Sequence, residues 1–105
     1  MSLIVSNDQD FQNHLIENAN VVVKYYADWC GSCKLFAPKF KRLASDEKYK
    51  DYTFIDVNAE QNPQARKLGN VKSLPTFAIF NNGQLVDSIC TTKEDNLIEL
   101  IQKLG

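Results

Sequence analysis

Cys30 and Cys33, in the segment Trp29-Cys30-Gly31-Ser32-Cys33-Lys34, are the residues whose type and spacing point to chemistry. Two cysteines with two residues between them, at the start of a helix, stand about one turn apart, so their sulfurs can close a small disulfide ring. The first follows directly on a strand and takes the helix N-terminus, where unpaired backbone N–H groups and the macrodipole favour a thiolate. Cys30 is therefore the expected nucleophile and Cys33 the resolving thiol. The reaction that follows is exchange: the Cys30 thiolate attacks a substrate disulfide, and Cys33 then attacks Cys30 to release reduced substrate. No cofactor takes part beyond the Cys30-Cys33 disulfide itself. A dithiol-delivering reductase is implied, because the oxidised pair must be reduced again. Zinc sites use the same spacing, but zinc needs two further ligands. Cys90 and His14, from a distant strand and the first helix, are the only candidates, and this ligand count weighs against a metal.

The elements that must hold this pair read as follows. Ser6 with Gln9 has the form of a capping box, followed by a helix whose apolar side carries Phe11, Leu15 and Ile16. Val21 to Ala27 is β-branched and aromatic on both alternating faces, as a central strand covered on both sides requires, with Lys24 discordant in it. From Cys33 to Ala44, Leu35, Phe36, Phe40 and Leu43 recur at helical spacing, with Pro38 inside. Tyr52 to Val57 is a second buried strand. Asn62-Pro63 opens a short helix that closes at Gly69. Strands at Thr76 to Phe80 and Leu85 to Cys90 flank Asn81-Asn82-Gly83, a hairpin signal. Thr91 or Thr92 caps a last helix that buries Leu97, Ile98, Leu100, Ile101 and Leu104. The order is β?αβαβαββα, with Leu3 to Val5 the weakest strand signal. It predicts an α/β fold with one mixed sheet, parallel βαβ plus an antiparallel hairpin, and helices on both faces.

The chain of 105 residues reads as one domain, 1–105. Hydrophobic residues make up 44% and charged residues 24%, and the net charge of −1 offers no field for phosphate, so nucleic acid is excluded as a partner. The N-terminal residues lack the basic and apolar regions of a secretory signal, and nothing later approaches a membrane span, so the expected location is the cytoplasm and no membrane partner is expected. A monomer is expected. The charged run from Lys39 to Lys50 reads as a solvated helical face.

Ala27-Asp28-Trp29-Cys30-Gly31-Ser32-Cys33-Lys34, with Pro38 in the following helix, resembles the active-site segment of the thioredoxin family, and Ser73-Leu74-Pro75-Thr76 resembles that family's cis-proline loop. The gap between the two motifs, the intervening helix and the Asn82-Gly83 hairpin match as well, so the resemblance spans nearly the whole chain. It implies the thioredoxin fold and protein-disulfide reduction, with disulfide-containing proteins as substrates and a thioredoxin-reductase-like electron donor. It further implies a cis bond between Leu74 and Pro75, a Leu74 backbone that pairs with extended substrate, and a substrate surface formed by Trp29, Gly31, Leu74 and Cys90-Thr91.

The chain departs from the family's pattern at several positions. Ser32 stands where the family usually has proline, and its hydroxyl is expected to favour the Cys30 thiolate, making the disulfide more oxidising. Lys24 stands where the family usually buries an aspartate beneath the resolving cysteine, with Asp56 where some members have lysine. That exchange implies a buried pair acting on Cys33, through Lys24 as a nearby cation or a proton acceptor; the competing reading is a structural lysine reaching the sheet edge. Cys90, beside the expected substrate groove, is expected to be a buried filler, the competing reading being a thiol open to oxidation or modification. Two other readings stand beside reduction: a binding or chaperone module of the same fold, which has no reason to keep both cysteines, and an oxidase or isomerase.

Overall fold

The computed structural model describes residues 3–105. The elements are β1 (Leu3–Ser6), α1 (Phe11–Glu17), β2 (Asn20–Tyr26), α2 (Gly31–Ala44), a 3-10 turn (Glu47–Tyr49), β3 (Thr53–Asn58), α3 (Pro63–Leu68), β4 (Thr76–Asn81), β5 (Gln84–Cys90) and α4 (Glu94–Gln102). The strands form one sheet in the order β1-β3-β2-β4-β5. β1 and β2 both pair with β3 in parallel, whereas β4 runs antiparallel to β2 and β5 antiparallel to β4. This is the expected mixed α/β sheet, and the doubtful first strand is real.

Alternation along the central strands sorts side chains into two cores. Val21, Val23 and Tyr25 of β2 join Ile55, Val57, Phe11, Leu15 and Ala65 on the face covered by α1 and α3. Val22 joins Phe54, Phe77, Phe36, Phe40, Leu97 and Ile101 on the face covered by α2 and α4. Lys24 shares the parity of Val22, so it points under α2, where the cysteines are. The hairpin turn uses Asn82 at φ 51° and Gly83 at φ 86°, the left-handed pair that a two-residue loop demands.

Several local expectations are corrected. Ser6 ends β1 instead of capping α1, and its hydroxyl donates to Asp10 Oδ1. Asn62 does precede α3, but its side chain caps nothing there: the carboxylate of Asp8, from the β1–α1 turn, accepts from Ala65 N at 2.9 Å and Gln64 N at 3.2 Å. Ile16 and Leu35 follow the helical periodicity yet face solvent. Cys90 is exposed, not buried, because it ends an edge strand that no further strand covers.

Candidate active site

β2 runs straight into the site. After Tyr26 the chain turns, with Cys30 N donating to Ala27 O at 3.1 Å, and Cys30 becomes the residue before α2, in extended conformation. Cys30 and Cys33 are joined by a disulfide, with Cα atoms 5.2 Å apart. The N–H of Cys33 donates to Cys30 Sγ at 3.2 Å. One of the unpaired donors at the helix N-terminus is thus already directed at the outer sulfur, where negative charge accumulates on reduction. Ser32 Oγ lies 3.5 Å from the same sulfur, within reach of a second bond. Gly31 is exposed and has open space where a side chain would begin, so nothing obstructs approach over it.

The peptide bond between Leu74 and Pro75 is cis. Leu74 packs against Ala27, Cys30 and Cys33, and Pro75 is buried beside it, so the loop preceding β4 lies against the disulfide. Thr76 follows and stands opposite Cys90 in the β4–β5 register. The exposed Cys90 thiol receives a bond from Ser73 Oγ at 3.2 Å. Thr91, expected on the substrate surface, has its hydroxyl occupied at the start of α4, accepting from Lys93 N at 3.1 Å and Asn96 Nδ2 at 2.7 Å. His14, the other candidate zinc ligand, faces Asp10 at 3.7 Å on α1.

Trp29 is 67% exposed next to Cys30. Its indole N–H donates to Glu60 Oε2 at 2.6 Å. Glu60 is held in turn by Asn58, whose side-chain oxygen accepts from Glu60 N and Gln61 N. Sequence reasoning missed Glu60, since nothing in a carboxylate thirty-one positions away marks it as an indole partner.

Behind the disulfide, Lys24 and Asp56 face each other across the parallel β2–β3 register, with Nζ to Oδ1 at 3.4 Å. Lys24 is only 3% exposed, and its ammonium lies 5.5 Å from the ring centroids of both Tyr26 and Phe40, where aromatic faces replace part of its lost hydration. Asp56 Oδ1 is buried and has no hydrogen-bond partner among the described residues, so the contact with Lys24 is ionic. Burial pushes the Asp56 carboxyl above its ordinary value, and Lys24 pulls it only partly back. The pair forms the floor of a cleft of about 180 Å³ lined also by Tyr26, Asp28, Cys33 and Lys34. That cleft is open enough to admit water. The structure therefore brings Lys24, Asp56 and Cys33 around one space and excludes the sheet-edge lysine.

Comparison with known proteins agrees with this geometry. A family model described as Thioredoxin matches residues 2–103. Thioredoxin 1 of Plasmodium falciparum is 31% identical over 103 residues, covering 98% of this chain and 97% of that protein. The chloroplastic F-type thioredoxin of Brassica napus is 42% identical over 84 residues, 78% of this chain but only 44% of that protein, so this chain spans less than half of that relative. Among solved structures, a chain from the complex of ferredoxin:thioredoxin reductase with thioredoxin f2 superposes with a TM-score of 0.87 at 29% identity, over 97% of this chain and 95% of its own length. The chain belongs to the thioredoxin family and is a thiol-disulfide oxidoreductase that reduces protein disulfides through Cys30 and Cys33.

Proposed function

We propose that Cys30 opens the exchange and Cys33 closes it, with the Lys24–Asp56 pair managing the proton of Cys33. The observation that carries this reading is the Cys33 N–H directed at Cys30 Sγ, which leaves the outer sulfur stabilised at the head of α2. In the reduced protein the Cys30 thiolate attacks one sulfur of a substrate disulfide. A Cys30–substrate disulfide forms and the substrate's own disulfide breaks, releasing one substrate thiolate. Cys33, as thiolate, then attacks Cys30 Sγ; the Cys30–Cys33 bond forms and the second substrate thiolate leaves, so two electrons have passed to the substrate. Cys33 must lose its proton first. The cleft behind it offers a path, with water carrying the proton toward Asp56 Oδ1 and Lys24 holding the carboxylate in place.

The substrate lies over Gly31 against Trp29 and the Leu74 backbone, and Cys90-Thr91 borders it through the β5 end. The electron donor is a protein reductase that delivers a dithiol to the Cys30–Cys33 disulfide, a reading supported by the structural neighbour thioredoxin f2, which is solved in complex with ferredoxin:thioredoxin reductase. A monomer is the proposed working unit. Turnover needs a compartment that keeps the pair reduced, which favours the cytoplasm. An insulin reduction assay tests the core of the reading: the wild type precipitates reduced insulin chains in dithiothreitol, and Cys30→Ser does not. Equal activity of the two proteins would sink it.

The hydroxyl of Ser32 favours a second reading, an oxidase or isomerase, because a donor to the Cys30 thiolate raises the oxidising power of the pair.

A further inference from the structure

On β2, Lys24 and Tyr26 are two residues apart and share the sheet face beneath α2, with Tyr26 nearer the end of the strand at which the cysteines lie. That places the Tyr26 phenol between the buried Lys24–Asp56 pair and solvent. It is half-buried, packs against the cluster of Ala27, Cys30 and Cys33, and has its ring centroid 5.5 Å from Lys24 Nζ. The neighbouring Tyr25 points into the opposite core, where its hydroxyl donates to Ala65 O at 2.8 Å. The Tyr26 hydroxyl has no such partner among the described residues, and it is not closed off from solvent. It lines the same cleft as Cys33 and the unpartnered Asp56 Oδ1, with the exposed Asp28 and Lys34 at the mouth.

Three groups thus face one space that water can enter: a thiol that must lose a proton, a carboxylate that can take it, and a hydroxyl able both to donate and to accept. No hydrogen bond joins Cys33 to Asp56 directly, so the proton crosses through water. A water ordered in such a cleft makes about three hydrogen bonds, of which Cys33 Sγ and Asp56 Oδ1 supply two. Lys24 Nζ is already engaged by the carboxylate and by the Tyr26 and Phe40 rings. We propose that Tyr26 is a positioning residue for the resolving step, its hydroxyl holding the water that carries the Cys33 proton to Asp56. This assignment rests on the proton-handling reading of the Lys24–Asp56 pair above. In that step the Cys33 S–H bond breaks and its proton passes to the water, while one of the water's own protons goes to Asp56 Oδ1. A thiolate, an intact water and a neutral carboxyl result, Tyr26 is unchanged, and the carboxyl returns its proton to solvent after Cys33 has bonded to Cys30. Burial, and then the carboxylates of Asp56 and Asp28, push the Tyr26 hydroxyl above its ordinary value, so it keeps the proton it donates.

The test mixes the reduced protein with dithiobis(nitrobenzoic acid), which releases two coloured thiolates in turn. The first release reports capture by Cys30 and the second reports resolution by Cys33, so stopped-flow absorbance times both steps. At about pH 7, Tyr26→Phe should slow the second release about tenfold, where a group that takes the proton itself contributes about 100-fold or more, and should move the first by less than about twofold. The deficit should close as pH rises past the ordinary thiol value of about 8.5, because Cys33 then ionises without help; a purely structural loss would persist at every pH. Tyr26→Phe/Asp56→Asn should resolve no more slowly than Asp56→Asn alone, since both side chains act through one water. A second release within about twofold of the wild type, a deficit indifferent to pH, or effects of the two substitutions that multiply would overturn the role of Tyr26 while leaving that of the pair. An Asp56→Asn variant that resolves at the wild-type rate would overturn the role of the pair, and this inference with it.

Discussion

At the scale of single residues, the Ser32 hydroxyl lies 3.5 Å from Cys30 Sγ, and the role proposed for it in setting the balance between reduction and oxidation is open to direct test. A bond from a neutral donor to a thiolate stabilises the reduced form, and about 1.4 kcal/mol of such stabilisation corresponds to about 30 mV for a two-electron couple. Ser32→Pro removes the donor, so the potential should fall by about 30 mV in a glutathione redox titration; an unchanged or higher potential refutes that role. The Lys24–Asp56 pair is probed by trapping the mixed disulfide and timing its resolution. Lys24→Met should slow resolution, and an unchanged rate removes Lys24 from the mechanism. Asp56 accepts a proton only when ionised, and its carboxyl is held above the ordinary range by burial first. Resolution should therefore slow on acidification at a higher pH than an ordinary carboxylate would set, and this acid limb should vanish in Asp56→Asn.

At the scale of elements, contacts distant in sequence hold the site's supports in place. α3 is only six residues long, and its N-terminal donors are met by Asp8 across more than fifty positions. Asp8 N also donates to Asn62 Oδ1, and Asn62 Nδ2 to Asn58 O, so the α3 cap and the loop that carries Glu60 form one network. Asp8→Ala should cost about 1 kcal/mol in urea unfolding, the usual worth of such a cap, and should alter Trp29 fluorescence by loosening Glu60. The end of α3 has a different constraint. A Cβ on Gly69 would stand 2.5 Å from the Tyr25 hydroxyl oxygen, and Tyr25 is fixed by its bond to Ala65 O. Gly69 keeps an ordinary φ, so its absent side chain matters here through space and not through backbone freedom. Gly69→Ala should destabilise by about 1–3 kcal/mol, the range for overpacking, and a denaturation midpoint equal to the wild type's would contradict that close approach.

For the whole molecule, the buried Lys24–Asp56 pair bears on stability. The native Asp56 carboxyl has a higher pKa than in the unfolded chain, so its protonated form suits the fold better than its ionised form. Its contribution to stability is complete below about pH 4 and is lost as pH rises through the raised native value. Asp10 and Asp87 act with the opposite sign, because hydrogen bonds from Ser6 and Lys103 lower them; their contributions are present above about pH 4 and are lost in acid. Replacing the pair with apolar side chains, Lys24→Met/Asp56→Leu, should raise stability by about 1 kcal/mol or more at neutral pH while resolution slows. A double variant that is less stable than the wild type would show that the ion pair also holds the fold together.

What the sequence determined by itself is the chemistry that contiguous residues encode. The Cys30–Cys33 spacing sets the reach of a disulfide, the position after a strand sets the helix-head environment, and Asn82-Gly83 sets a turn whose dihedrals other residues resist. Alternation and helical periodicity placed the strands and helices, because each pattern repeats within its own segment. Periodicity failed at Leu35 and Ile16, where a residue of apolar type lies on a face that no other element covers. Tertiary structure alone decided that Lys24 meets Asp56 in register, that Asp8 caps α3, that Glu60 holds Trp29 and that Cys90 lies open on an edge. Those outcomes depend on strand order and register, which arise from the sum of many weak contacts between segments far apart in the chain and leave no local mark on any one of them.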